Sequence, residues 1–218
     1  MCRQTGTERS PAHFYELIRP WVSVAAAVVN LGAIPVLADI DDTFCLDPIA
    51  VQKSITPRTT GIIAIHMSGA PANITELLKL ARGRGLFLPE DCAQCAGGSV
   101  QEKKVGTFGD MGIFSFQMNK NMTRGEGGAL VTNDARLCDR AFACHDLGYA
   151  RDDNGRTVFD NLALCLWGRG YRIDELRASI LRVQLRKLPR IIAAMHGSRY
   201  RIRKGAGRVP SRATKEDC

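Results

Sequence analysis

Aromatic residues are scarce in this 218-residue sequence, at 6% of the total. Proteins that bind single-stranded nucleic acid stack bases on aromatic side chains, and the sequence has no aromatic ladder or recognition motif of that kind. The net charge of +8 is the one feature typical of nucleic-acid binding. From Arg177 onward there are twelve Lys or Arg against Glu216 and Asp217, so the rest of the chain sums to −2. A nucleic-acid partner is therefore a minor alternative that depends on the C-terminal segment alone.

The sequence also lacks a secretory signal, a long apolar run and a pattern of paired cysteines. The first residues, MCRQTGTERSPAH, contain no apolar segment. Asn30, Gly32 and Pro35 interrupt the stretch WVSVAAAVVNLGAIPVLADI, which leaves too short a run to cross a bilayer. The eight cysteines have no framework spacing, so reduced thiols are expected. We expect a cytoplasmic protein that does not enter the membrane.

Buried strands alternate with amphipathic helices through the middle of the chain. Asp47 before Pro48, Asn73 before Glu76, and Asp134 each give a helix start signal. Continuous apolar strands between such helices predict an α/β fold, with a mostly parallel sheet and helices on both faces. The predicted strands are PVLADI, TTGIIAIHM, LFLPED, MGIFSFQ and GGALVTND. The predicted helices are SVAAAVVNLG, LDPIAVQKSI, NITELLKLARGRG and DARLCDRAFACHDLG.

The C-terminal part of the chain begins with a long amphipathic pattern, YRIDELRASILRVQLRKLPRII. Pro189 is expected to interrupt this helix. The residues after it are basic and have no apolar periodicity. The sequence thus predicts three parts: a divergent N-terminal segment (1–18), an α/β domain (19–188) and a disordered basic tail (189–218).

Two charged residues occupy positions where apolar strands end. Asp91 ends LFLPED, and Lys120 comes after MGIFSFQ, so the two groups are expected at the rim where ligands bind in parallel sheets. A helix-cap acid and a solvated loop lysine are the plain alternatives. Pyridoxal phosphate chemistry uses both groups together, a lysine for the covalent link and an aspartate at the pyridine nitrogen. Spacing alone does not choose between these interpretations.

Three longer motifs carry a family resemblance: ITPRTTGIIAIHMSGAPANI, LPEDCAQCAGGSVQEKKVGTFGDMGIFSFQMNKNMTRGEGGALVTND and GYRIDELRASILRVQLRKL. In order and spacing they resemble the DegT/DnrJ/EryC1/StrS family of fold-type I, pyridoxal-phosphate-dependent aminotransferases. The resemblance covers residues 19–188. It implies part of the large domain of that fold, apparently truncated at both ends. It also implies a homodimer and transfer of an amino group from glutamate or glutamine to a nucleotide-linked keto-sugar or keto-cyclitol.

The resemblance implies a role for five residues. Lys120 would form the covalent link to pyridoxal phosphate and move the proton, and Asp91 would pair with the ring nitrogen. Gln94 would hydrogen-bond the phenolic oxygen of the ring, and Ser115 would bind the phosphate. Trp21 would stack on the ring, with core packing as an equal alternative. The glycines of GEGG would let the backbone turn so that the lysine points into the cleft.

Other chemistries are weaker alternatives. Cys92 and Cys95 form a C-x-x-C pair without a second pair at ligand spacing, so no metal site is expected. His66 ends an apolar strand and is expected to be a satisfied structural histidine, although the resemblance implies a place near the cleft. The dehydratases of the family have histidine in place of the lysine, and Lys120 argues against that chemistry. Gly170 replaces the family's phosphate-binding asparagine, which keeps open a non-catalytic, cofactor-binding or regulatory remnant.

Overall fold

The computed structural model describes residues 13–17, 22–152, 154–158 and 165–206. Its helices are α1 (Val22–Asn30), α2 (Pro48–Ser54), α3 (Ile74–Arg84), α4 (Ala135–His145) and α5 (Glu175–Ala206). The first strands are β1 (His13–Leu17), β2 (Ile34–Ala38), β3 (Thr59–Ile62), β4 (Ala64–Ile65) and β5 (Pro89–Asp91). The others are β6 (Ser99–Val100), β7 (Lys103–Lys104), β8 (Met111–Ser115), β9 (Gly128–Val131), β10 (Ala150–Arg151) and β11 (Thr157–Val158).

The strands form a mostly parallel sheet. One part has the order β2-β1-β3 and the other the order β4-β5-β8-β9. A parallel bridge between Gly61 and Phe87 connects the two parts. All the pairings within these two parts are parallel except that of β8 with β9, which is antiparallel. The predicted α/β fold with a mostly parallel sheet is therefore confirmed.

Local sequence signals set the helix boundaries. The side chain of Asp47 accepts a hydrogen bond from the N–H of Ile49, at the start of α2. Asn73 caps α3 in the same way, and α3 ends at Gly85, whose φ of 63° is left-handed. Asp134 caps α4 through the N–H groups of Arg136 and Leu137. Each of these starts agrees with the predicted one, because the capping signal is local.

The main hydrophobic core lies between α2, α3 and the strands β3 and β4. Its fully buried members include Leu46, Val51, Ile62, Ile74 and Leu77. The apolar positions of α3 recur at helical spacing, which places one face of the helix in this core. Both residues of β4, and Leu88 directly before β5, belong to this core, and the parallel pairing of β4 with β5 sets where Asp91 lies.

Helix α5 differs from the prediction. The predicted interruption at Pro189 is wrong, because α5 runs for 32 residues with this proline inside it. Leu188, next to Pro189, is buried in a cluster with Phe116 and Met122, and Ile192 packs against this cluster. Such tertiary contacts offset the hydrogen bond that a proline removes. The tail predicted as disordered is helical as far as Ala206, and residues 207–218 lie outside the described part of the chain.

Strand β1 has no counterpart in the sequence prediction, which assigned residues 1–18 to a divergent segment. It lies between β2 and β3 in the sheet and is parallel to both. A five-residue strand of mixed polarity carries little pattern, and its pairing partners decide its conformation. Among the described helices, none is long and apolar enough to span a membrane.

Candidate functional site

Asp91 occupies the last position of β5, at the carboxyl edge of the sheet. It is paired with Ile65 on one side and with Ile113 on the other, both in parallel register. Its carbonyl oxygen accepts a hydrogen bond from the N–H of His66, 3.0 Å away. Since side chains alternate between the two faces of a sheet, Ile113 and Ser115 share the face of Asp91. Asp91 and Ser115 therefore lie on one face at one edge, as predicted for a binding rim.

The carboxylate of Asp91 is partly buried, and this burial raises its pKa. A hydrogen bond of 2.8 Å from the N–H of Ala93 to Oδ1 acts in the opposite direction. The positive charge of Lys120 also lowers the pKa, and His66 contributes a smaller effect of the same sign. The structure thus brings the predicted acid and the predicted amine close enough to interact electrostatically.

Lys120 lies on the loop between β8 and β9, residues 116–127, which we call the lysine loop. The N–H of Lys120 donates to the carbonyl of Gln117 at 2.9 Å, and the N–H of Phe116 donates to Gly127 at 2.7 Å. Gly125 and Gly127 have φ values of 92° and 148°, in the region that favours glycine. The glycines of GEGG therefore allow the backbone to turn back toward β9, as the sequence predicts.

Helix α5 packs against the lysine loop. Phe116 and Met122, on either side of Lys120, form a small buried cluster with Leu188. A Cβ atom on Gly97 would collide with Ile192, so this glycine permits the close approach of α5. The position of the lysine therefore depends on contacts between segments that are far apart in sequence.

Gln94 and Ser115 complete the predicted set within the described residues. Gln94 Oε1 accepts a hydrogen bond of 3.0 Å from the N–H of Ser68, so its amide NH₂ points away from that contact. Ser115 Oγ accepts from the N–H of Gln117 at 3.4 Å, which leaves the hydroxyl hydrogen available to donate. Trp21 lies outside the described residues, and its stacking role stays a prediction.

A buried carboxylate beside Asp91 was not singled out from the sequence. Glu90 is fully buried, and its two oxygens accept four hydrogen bonds. Burial raises the pKa of Glu90, but the hydrogen bond from His66 and those from three backbone N–H groups outweigh it, so the pKa lies below its usual value. The acidic pair in PEDC was the available signal, but it does not say which carboxylate faces inward. The predicted structural role of His66 agrees with its burial and hydrogen bonds.

The C-x-x-C pair is buried with its thiols free. Burial raises the pKa of Cys95 to about 11, and it raises the pKa of Cys92 further. Such thiols are protonated at neutral pH and poorly reactive. Ligand atoms of His66, Glu90 and Cys92 lie within 4.8 Å of one another. N–H donors point at both oxygens of Glu90, so among the described residues these atoms form a hydrogen-bonded network. The absence of a bound metal stays an expectation.

Comparison with solved structures shows the same fold. The aminotransferase TlmJ from Streptoalloteichus hindustanus superposes with a TM-score of 0.83 at 29% identity, covering 93% of this chain and 54% of that one. A 3-amino-5-hydroxybenzoic acid synthase superposes with a TM-score of 0.75 at 37% identity, covering 84% of this chain and 47% of that one. The described residues therefore have the fold of part of a fold-type I aminotransferase.

Sequence relatives agree with this result. The L-glutamine:2-deoxy-scyllo-inosose aminotransferase of Streptomyces kanamyceticus is 42% identical over 192 residues, covering 82% of this chain and 43% of the relative. The 3-amino-5-hydroxybenzoate synthase of Amycolatopsis mediterranei is 40% identical, covering 79% of this chain and 44% of the relative. The chain thus spans less than half the length of these relatives. The model of the DegT/DnrJ/EryC1/StrS aminotransferase family matches residues 19–205, and the chain belongs to this family.

Proposed function

We propose that the chain binds pyridoxal phosphate at the carboxyl edge of the sheet and acts in amino transfer to a keto-sugar or keto-cyclitol. The observation that carries the proposal is the position of Asp91 at the carboxyl edge, on the same face as Ser115 and near enough to Lys120 to feel its charge. The charge of the lysine lowers the pKa of an acid that is otherwise raised by burial. An acid and an amine that interact across an edge of the sheet match the two groups that this cofactor requires.

The residues at the edge fit the cofactor. Asp91 offers a carboxylate to a protonated ring nitrogen, and such a partner offsets the cost of its burial. Ser68 holds the oxygen of the Gln94 amide, so the NH₂ group is the end that would donate to the phenolic oxygen. Ser115 lies on the face of Asp91 and can donate its hydroxyl hydrogen to the phosphate. A solved relative, a dehydratase 25% identical to this chain, contains hydrated PLP.

The chemistry divides between the cofactor and the chain. When bound, pyridoxal phosphate supplies an electron-withdrawing ring that holds the amino group between its donor and its acceptor. Lys120 would hold the cofactor covalently and, when released, would accept and return the proton at the reacting carbon. Asp91 would keep the ring nitrogen protonated. The glycines at the end of the lysine loop turn the backbone into β9.

The substrates are inferred from the relatives by analogy. Several are named as L-glutamine-dependent aminotransferases of scyllo-inosose or its deoxy derivatives, and one as a UDP-sugar aminotransferase. We propose glutamine or glutamate as the donor and a keto-cyclitol or nucleotide-linked keto-sugar as the acceptor. We further propose a cytoplasmic homodimer.

Cofactor capture tests the site directly. Purified protein mixed with one equivalent of pyridoxal phosphate is expected to gain a visible absorption band, and borohydride should then fix the cofactor on Lys120, as identified by peptide mass spectrometry. Lys120→Ala should abolish both signals. Lys79→Ala, a change at an exposed lysine of α3, should leave them intact. A wild-type protein without an adduct, or with an adduct spread over surface lysines, would refute the proposal.

Turnover distinguishes the enzyme from the second candidate. Incubation of the adduct with glutamine should convert its absorption to that of the aminated cofactor, and a keto-cyclitol should restore it. Specific capture at Lys120 without either conversion would favour the non-catalytic remnant.

A further inference from the structure

The turn after β4, residues 66–72, has an unusual backbone, and we call it the Ser68 turn. Ser68 and Gly69 are adjacent residues with left-handed φ values of 51° and 83°. The N–H of Ala70 donates to the carbonyl of Met67 at 2.8 Å and closes the turn. A serine with left-handed φ persists only where its surroundings hold it. Contacts at the base of the turn must therefore hold this conformation.

The side chain of His66 connects the base of this turn to the interior. Its Nδ1 accepts a hydrogen bond of 3.0 Å from the N–H of Ala72, and its Nε2 lies 3.1 Å from Glu90 Oε2. Both His66 and Glu90 are 0% exposed. Because a backbone N–H can only donate, Nδ1 is the acceptor and the ring proton is on Nε2, where the carboxylate of Glu90 accepts it. Each ring nitrogen thus has a separate task.

The tip of the turn determines the direction of Gln94. The N–H of Ser68 donates to Gln94 Oε1 at 3.0 Å, across 26 residues of sequence. An amide held at its oxygen presents its NH₂ group on the other side. If the Ser68 turn relaxes, this restraint is lost and the amide can rotate, so that either its oxygen or its nitrogen faces the cleft.

We propose that His66 is a positioning residue for the cofactor site, acting through the Ser68 turn on the amide of Gln94. The bond from Ala72 to Nδ1 keeps the turn closed, and the bond from Nε2 to Glu90 fixes the tautomer that makes Nδ1 an acceptor. This proposal rests on the proposed function for its consequence in the cofactor complex. Its structural part concerns the protein without cofactor and can be tested separately.

Two substitutions separate the tasks of the ring nitrogens. In His66→Asn the side-chain oxygen can replace Nδ1 and accept from Ala72, whereas the donor to Glu90 is lost. In His66→Gln the amide NH₂ can replace Nε2 and donate to Glu90, whereas Ala72 loses its acceptor. Amide hydrogen exchange by NMR on the cofactor-free protein is the readout. The amide of Gly109, bound to the other oxygen of Glu90, reports that the variants are folded.

We expect the amide of Ser68 to exchange about tenfold faster in His66→Gln than in wild type, the effect of losing a hydrogen bond of ordinary strength. In His66→Asn it should stay within about threefold of wild type. Equal protection of Ser68 in wild type and His66→Gln would overturn the proposal. So would equal loss of protection in the two variants, which indicates general loosening. These outcomes do not depend on the cofactor.

The adduct gives a second readout if it forms. Gln94→Ala should shift the pH at which the visible band of the adduct changes, and His66→Gln should produce part of the same shift. The double variant should shift no further than Gln94→Ala, because both changes remove one interaction. Additive shifts would overturn the link to Gln94. If neither His66 variant folds, Gly69→Ala is the substitute, because it strains the turn without contacting the histidine ring. An unchanged pH for the visible band, together with an unchanged exchange rate of the Ser68 amide, would then contradict the proposal.

Discussion

Replacing Glu90 by glutamine changes one buried oxygen into an NH₂ group and should destabilise the fold strongly. Oε1 accepts from the N–H groups of Phe108 and Gly109, both at 2.7 Å. Oε2 accepts from Gly106 N–H at 2.8 Å and from His66 Nε2 at 3.1 Å. In either orientation of the new amide, its NH₂ group faces two N–H donors. Two buried donors therefore lose their acceptor.

The number of orphaned donors sets the magnitude. Each buried donor left without a partner costs about 1–3 kcal/mol, so Glu90→Gln should lower the free energy of unfolding by about 2–6 kcal/mol. With a urea slope of about 2 kcal/mol/M, the unfolding midpoint should fall by about 1–3 M. A total stability of about 5–15 kcal/mol makes this a large fraction. Glu90→Leu removes all four acceptor contacts and should be worse.

Urea unfolding followed by circular dichroism, at a fixed protein concentration, measures the effect. Glu76→Gln is the matched control, because the same change at a side chain 49% exposed should shift the midpoint by less than about 0.3 M. A similarly small shift for Glu90→Gln would refute the reasoning.

The difference in unfolding free energy between wild type and Glu90→Gln should depend on pH. The hydrogen bonds to Glu90 hold its pKa below the usual value despite burial. A carboxylate with a lowered folded-state pKa contributes stability above its unfolded pKa and loses it as the pH falls through the folded value. The advantage of wild type over Glu90→Gln should therefore be full at neutral pH and shrink below about pH 4.5.

Three further substitutions test other parts of the structure. Burial raises the pKa of Asp91, so its ionised form destabilises the fold at pH values above the pKa of the unfolded state. Cofactor-free Asp91→Asn should therefore melt at a higher temperature than wild type at pH 7, and the difference should vanish below about pH 4. A lower melting temperature at pH 7 would contradict the assignment. Leu188→Ala should lower the free energy of unfolding in urea by about 2–4 kcal/mol and speed amide exchange in the lysine loop. The control is Leu185→Ala, at a position of the same helix that is 56% exposed. Equal effects of the two substitutions would refute the packing role of Leu188. Gly112→Ala should prevent cofactor capture or folding, since its Cβ would collide with the backbone of Gly106; a variant as stable as wild type would exclude that close approach.

The sequence by itself determined much of the local structure. Caps such as Asp47, Asn73 and Asp134 act within one helical turn, so the pattern fixes where their helices begin. The apolar runs that end at Asp91 and before Lys120 gave the strand ends, and parallel strands bring such ends to one edge. The family motifs then pointed to the acid, the amide and the amine together.

Tertiary structure decided the features that depend on contacts between distant segments. Strand β1 exists through its pairing with β2 and β3, and α5 continues through Pro189 because Leu188 and Ile192 pack against the lysine loop. The buried bond between His66 and Glu90 joins residues 24 positions apart and sets a tautomer that no local pattern encodes. Propensities and caps act over a few residues, whereas burial and hydrogen-bond satisfaction are settled only when the whole chain is packed.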